Sequence, residues 1–136
     1  NVRDGKHRPF FWKVNAVRNI LDHPAGYDWV LWADCDAFFM DPERTLDSII
    51  QTYTGREQNR HLSSQPASLI LAVDSTGINN GVWLLRNSEW SREFLDRWWH
   101  SDILQGPGEN HNCSDQSTMQ HQLLHTNTMR LDAAWD

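Results

Sequence analysis

Two cysteines, Cys35 and Cys113, are too few for a disulfide framework. No apolar run approaches the length of a membrane span, and no secretory signal peptide is legible. Basic residues are outnumbered: 12 Lys and Arg against 18 Asp and Glu give a net charge of −6 and a pI near 5.5. That balance excludes a nucleic-acid module gripping backbone through a basic patch or stripe. It fits a protein that handles a polyanionic ligand only through a bound cation. Internal repeats and low-complexity tracts are missing too, so the 136 residues read as one domain, long enough to bury a core. What the chain does have is tryptophan: eight Trp beside five Phe and two Tyr, each indole bringing large area and an N–H that needs a partner. The chain opens on Asn1 rather than Met, so its ends read as cuts, and an anchor or targeting segment is expected upstream.

Periodicity orders the chain into alternating helices and apolar strands, the signature of an α/β layer architecture. Phe10, Val14, Val17 and Leu21 predict a helix over 9–22, with Pro9 in its first turn and a break at His23-Pro24-Ala25-Gly26. A strand is predicted at 28–33. Asp41-Pro42 signals the start of a helix whose apolar face is Leu46, Ile49, Ile50 and Tyr53. The polar, breaker-rich stretch 54–67 reads as a surface loop. The apolar run 68–73 predicts a strand covered on both faces, and 81–86 a further strand after a Gly/Asn turn. Ser88 can cap a helix whose Trp90, Phe94, Leu95, Trp98 and Trp99 face inward. After a second loop, 115–125 predicts a last helix.

The most informative stretch is "DWVLWADCDAFFMDP", residues 28–42, in which an apolar run leads to two carboxylates one residue apart. In a strand, alternate side chains share a face, so Asp34 and Asp36 are expected side by side with Cys35 turned away into the sheet. At a strand's carboxyl end they border the crevice where open α/β sheets take ligands. Two carboxylates on one side repel unless a cation lies between them, and Mn²⁺ or Mg²⁺ suits oxygen donors with phosphate as co-ligand. The plain alternative is that both aspartates cap a turn.

"DWVLWADCDAFFMDPERTLDSII" resembles the D-x-D segment of glycosyltransferase family 34, the galactosyl-, mannosyl- and xylosyltransferases of fungi and plants. Three more segments fall in that family's order: "FFWKVNAVRNIL" before it, then "GINNGVWLLRNSEWSREFLDRWW" and "CSDQSTMQHQLL" after it. The resemblance covers roughly residues 7–125. It implies a GT-A nucleotide-diphospho-sugar transferase fold, a Rossmann-like α/β/α sandwich incomplete here at both ends. It also implies a metal-dependent retaining transfer of a hexosyl or pentosyl unit from a UDP- or GDP-sugar to a glycan acceptor. Asp34 and Asp36 would hold the Mn²⁺ or Mg²⁺, with Asp34 also on the donor. Lys13 would reach the donor phosphates, Asn80 would hydrogen-bond the sugar, and Gly81 would let the backbone come close. Asp115 and Gln116 would organise the reacting centre. With no carboxylate placed as a covalent nucleophile, a front-face substitution is expected. A type II membrane protein of the Golgi lumen is expected for the full length, its anchor outside this chain. Two elements of the family pattern lack a counterpart: the first nucleotide-gripping strand and helix, and a histidine that serves as third metal ligand.

Each of these residues also has a structural reading. Lys13 can snorkel from an apolar helix; Asn79, Asn80 and Gly81 can simply turn the chain; Asp115 can cap its helix. The Trp/Phe stripe of residues 90–99 reads as core, and Arg86 as an ion-pair partner for Asp96 or Glu89. His111, Cys113, His121 and His125 could chelate zinc, but their spacing fits no standard module, and surface histidines are the better reading. Asn112-Cys113-Ser114 is a formal N-glycosylation sequon, compatible with a lumenal protein. Two alternatives stay open: a non-catalytic carbohydrate- or metal-binding domain on the same fold, and a D-x-D transferase of another GT-A family.

Overall fold

The computed structural model describes residues 9–55, 66–75, 77–104 and 115–125. A single 3₁₀ turn, Pro9–Phe11, leads into helix α1, Trp12–Leu21. Strand β1 is Trp29–Ala33, helix α2 Leu46–Thr54, and strands β2 and β3 are Leu69–Asp74 and Gly77–Arg86. Helices α3, Glu89–Leu104, and α4, Asp115–His125, complete the described chain. Helices and strands mix as the patterning predicts.

The three strands form one antiparallel sheet in the order β1-β3-β2. The long central strand carries the buried side chains Ile78, Trp83, Leu84 and Leu85, while no residue of β2 is fully buried. The expectation that 68–73 is covered on both faces therefore fails: β2 lies at the sheet's edge among the described residues. Helices α1 and α3 pack against each other, α1 also meets β1, and α4 packs on both α3 and β3. Phe11, Val14, Val17 and Leu21 of the first helical segment meet Phe94, Leu95 and Trp98 of α3 in this core. Phe11 takes the place expected of Phe10, which is 65% exposed. The stripe on α3 is core, as read, with Trp90 and Trp99 packed at its margin. Asp96 pairs with Arg18 at 2.9 Å, tying α3 to α1.

Local chemistry sets the element ends. Asp41 accepts Glu43 N–H in an Asx turn, so the helix starts not there but after Thr45, whose hydroxyl caps Ser48 N–H at 3.2 Å. None of α2 is buried, and Tyr53 of its apolar face is exposed. Ser88 caps α3 through Ser91 N–H, as the sequence predicts. The turn expected at 79–81 lies instead at Asp74–Gly77, where Gly77 takes φ 108°. Asn79, Asn80 and Gly81 are strand residues, because β3 pairs with β2 from Gly77 onward. That pairing slips: Leu71 faces Trp83 but Ala72 faces Asn79, leaving residues 80–82 of β3 opposite none of β2. Such bulges re-aim side chains, and this one carries two of the candidate site residues.

Candidate active site

Strand β1 stops pairing side by side with β3 at Ala33, and one further bond, Asp34 N–H to Gly81 O at 2.8 Å, holds the next residue. The backbone then turns, Ala37 N–H donating to Asp34 O at 3.0 Å. Asp34-Cys35-Asp36 therefore sits on a turn beyond the strand, not in it. The alternation argument stops at Ala33, and Cys35, expected to pack into the sheet, is exposed. Asp36 is exposed on the same turn.

Asp34 is held through one oxygen. Its Oδ1 accepts from the Trp32 indole at 2.7 Å and lies 3.3 Å from Lys13 Nζ. Its Oδ2 accepts no bond from a described residue and faces Gly81, where an added Cβ would lie 3.4 Å away. Lys13 comes from α1 and, at 9% exposure, does not snorkel to water. Its ammonium also meets Asp115 Oδ2 at 2.9 Å and lies 5.6 Å from the centre of the Trp32 ring. One cation thus bridges the turn after β1 and the first turn of α4.

The β3 bulge supplies the third side. Asn80 is buried; its amide donates to Asp115 Oδ2 at 2.8 Å, and its backbone N–H donates to Gln116 Oε1 at 3.3 Å. Gly81 N–H donates to Asn79 Oδ1 at 2.7 Å, and the Asn79 amide donates to Asp74 Oδ2. A Cβ at 81 would lie 3.0 Å from Asn79 Oδ1 and 3.4 Å from Asp34 Oδ2, so a larger residue there would require these side chains to give way. Lys13, Asp34, Asn80, Gly81, Asp115 and Gln116 thus meet in one cluster. Asp36 is its exposed neighbour.

The cluster's charge is lopsided. One ammonium faces two carboxylates, and Asp36 adds a third on the next turn position but one. The unbonded Oδ2 of Asp34 and this excess of negative charge are compatible with a hard divalent cation. Among the described residues no three His, Cys, Asp or Glu side chains converge on one point. Asp34 and Asp36 are the two carboxylates of this turn that could offer oxygens to such an ion.

Sequence reasoning missed the tryptophans behind the site. Trp32 bonds Asp34, the Trp83 indole donates to Asn80 O at 3.0 Å, and that of Trp98 to Asp115 O at 3.1 Å. The signal for Trp32 was its place two residues before Asp34. His121 is exposed on α4; His111, Cys113, the side chain of His125 and the sequon lie outside the described residues. Among the described residues, no helix is long and apolar enough to cross a membrane.

The sequence model of the galactosyl transferase GMA12/MNN10 family matches residues 1–134. The chain is similar to a probable alpha-1,6-mannosyltransferase, MNN10, of Saccharomyces cerevisiae, 28% identical over 69% of this chain and 28% of that protein. It is also similar to galactomannan galactosyltransferase 1 of Cyamopsis tetragonoloba, 37% identical over 68% of this chain and 20% of the relative. Probable glycosyltransferase 6 of Oryza sativa is 33% identical over 65% of this chain and 18% of its own length. The chain spans less than a third of these curated relatives.

Proposed function

The chain belongs to the galactosyl transferase GMA12/MNN10 family, glycosyltransferase family 34, and from that premise we propose that it is the catalytic segment of a metal-dependent retaining transferase of GT-A fold. Its donor is a UDP- or GDP-sugar, its acceptor a glycan, and the unit moved a hexose or pentose. The galactosyl and mannosyl names of the relatives support a hexose. The full-length protein works in the Golgi lumen as a type II membrane protein.

The observation that carries this reading is the convergence of four distant segments on one polar cluster: Lys13, Asp34, Asn80 with Gly81, and Asp115 with Gln116. Three of these groups, Lys13, Asn80 and Asp115, are buried, and burying polar and charged groups costs free energy unless they are paired as they are here.

Asp34 and Asp36 would hold the cation. When bound, Mn²⁺ or Mg²⁺ neutralises charge building on the departing diphosphate. Lys13 faces the donor phosphates from within the cluster and keeps Asp34 and Asp115 apart in charge but together in space. Asn80, bonded to Asp115, presents its side of the bulge to the sugar, and Gly81 keeps that approach open. Asp115 and Gln116 orient the anomeric carbon and the acceptor hydroxyl on the face the nucleotide leaves, as a front-face substitution requires.

The test is a panel of UDP- and GDP-sugars offered to the full-length protein with Mn²⁺ and a glycan acceptor. Transfer or hydrolysis that disappears with a chelator is expected. Inertness towards the whole panel would leave a non-catalytic carbohydrate- or metal-binding domain.

A further inference from the structure

A carboxylate that ligates a cation through one oxygen binds it better when the other oxygen is held. Otherwise rotation about the last bond presents either oxygen, and part of the binding energy goes into ordering it. Asp34 Oδ1 has two donors, Lys13 and Trp32, and they differ in kind. The Lys13 ammonium is shared with the nearer Asp115 and is weakly directional. The Trp32 indole N–H is a single directed donor at 2.7 Å.

The Trp32 ring is itself fixed. It lies across the ladder from Trp83, with ring centres 6.5 Å apart and planes 24° from parallel. Trp83 in turn packs on Trp98 at 6.0 Å, and both inner rings are buried. The row of three indoles hands one N–H to each of three site segments: the Asp34 side chain, the Asn80 carbonyl and the Asp115 carbonyl. Only the outermost of the three bonds a side chain. Trp32 is thus the indole that reaches the carboxylate directly, while its ring packs at the margin of the core and beside Lys13, so removing the N–H alone isolates its effect on Asp34.

We propose that Trp32 is a positioning residue for the cation site: its indole N–H pins Asp34 Oδ1 and leaves Oδ2 as the ligating oxygen. The inference rests on the cation assignment above and adds to it the residue that sets the ligand's geometry.

The experiment titrates Mn²⁺ by calorimetry into the metal-free full-length protein, as wild type, Trp32→Phe, and a chain carrying benzothienylalanine at 32. The last keeps the bicyclic shape and replaces the N–H with sulfur, so it decides the matter if Trp32→Phe folds poorly. Both substitutions are expected to weaken Mn²⁺ binding about ten- to a hundredfold, the usual effect of losing a ligand's outer partner. The metal-free melting temperature of the benzothienylalanine protein should stay at the wild-type value. Wild-type affinity in that protein would overturn the positioning role while leaving the cation site standing. Absence of Mn²⁺ binding by the wild type would remove the cation assignment, and this inference with it.

Discussion

At Lys13 a single ammonium lies 2.9 Å from Asp115 and 3.3 Å from Asp34, with 9% of the side chain exposed. Lys13→Met leaves two carboxylates facing each other; Asp115 is nearly enclosed, whereas Asp34 is 38% exposed and partly screened by water. The expected cost is about 3 kcal/mol, the low end for breaking a buried pair. Urea unfolding measures it, and adding Asp115→Asn to Lys13→Met should restore part of the loss. Asp36 is the opposite case, since it is exposed and bonds nothing among the described residues that holds the fold. Asp36→Ala should leave the melting temperature unchanged and abolish Mn²⁺ binding; unchanged Mn²⁺ affinity in calorimetry would remove Asp36 from the metal site. The candidate site residues were legible only through the family resemblance, since each of them alone can equally serve a turn, a cap or a packed helix. Their orientations were not. Strand alternation put Cys35 in the sheet, but nothing in the residue types marks Ala33 as the last ladder position; with Cys35 exposed, Cys35→Ser is expected to be neutral in stability.

The hairpin joining β2 and β3 depends on Gly77, whose φ of 108° is one that L side chains rarely adopt. A Cβ there would also lie 3.1 Å from Gln120 Nε2, the group that donates to Ile78 O and pins α4 to β3. Gly77→Ala should cost about 1–3 kcal/mol through backbone strain. It should also speed amide hydrogen exchange along α4 relative to α1, because it disturbs the docking bond as well as the turn. Uniform acceleration in both helices would mean that the hairpin acts only on global stability. Helices α1 and α3 were legible because 3.6-residue spacing survives packing, and the cap at Ser88 marks a start by itself. The hairpin was not, because Asn79-Asn80-Gly81 carries turn chemistry in its residue types. Here those residues serve a bulge, a feature set by pairing with a distant strand. Helix α2 began late for a similar reason: Asp41 spends its side chain on an Asx turn and Thr45 does the capping.

Across the whole molecule, the site exists only because the α1, β1, β3 and α4 segments arrive together, with the row of indoles behind them. Such convergence is invisible to spacing within any one segment, and it changes how capping and catalysis can be told apart at the start of α4. Asp115→Asn is not a clean probe, since it removes the Lys13 ion pair as well as any charge offered to substrate. Gln116 is cleaner. Its described bond is the 3.3 Å one from Asn80 N–H, long enough that Gln116→Ala should cost about 1 kcal/mol or less in stability. If Gln116 acts on the sugar or the acceptor in the transition state, its loss should lower kcat by at least about tenfold, 1.36 kcal/mol of barrier, with donor affinity nearly unchanged. That split between kcat and binding marks an interaction made mainly in the transition state. Transfer rate and donor affinity measured on the full-length protein decide it: wild-type turnover in Gln116→Ala would make this side chain a strut between α4 and the β3 bulge.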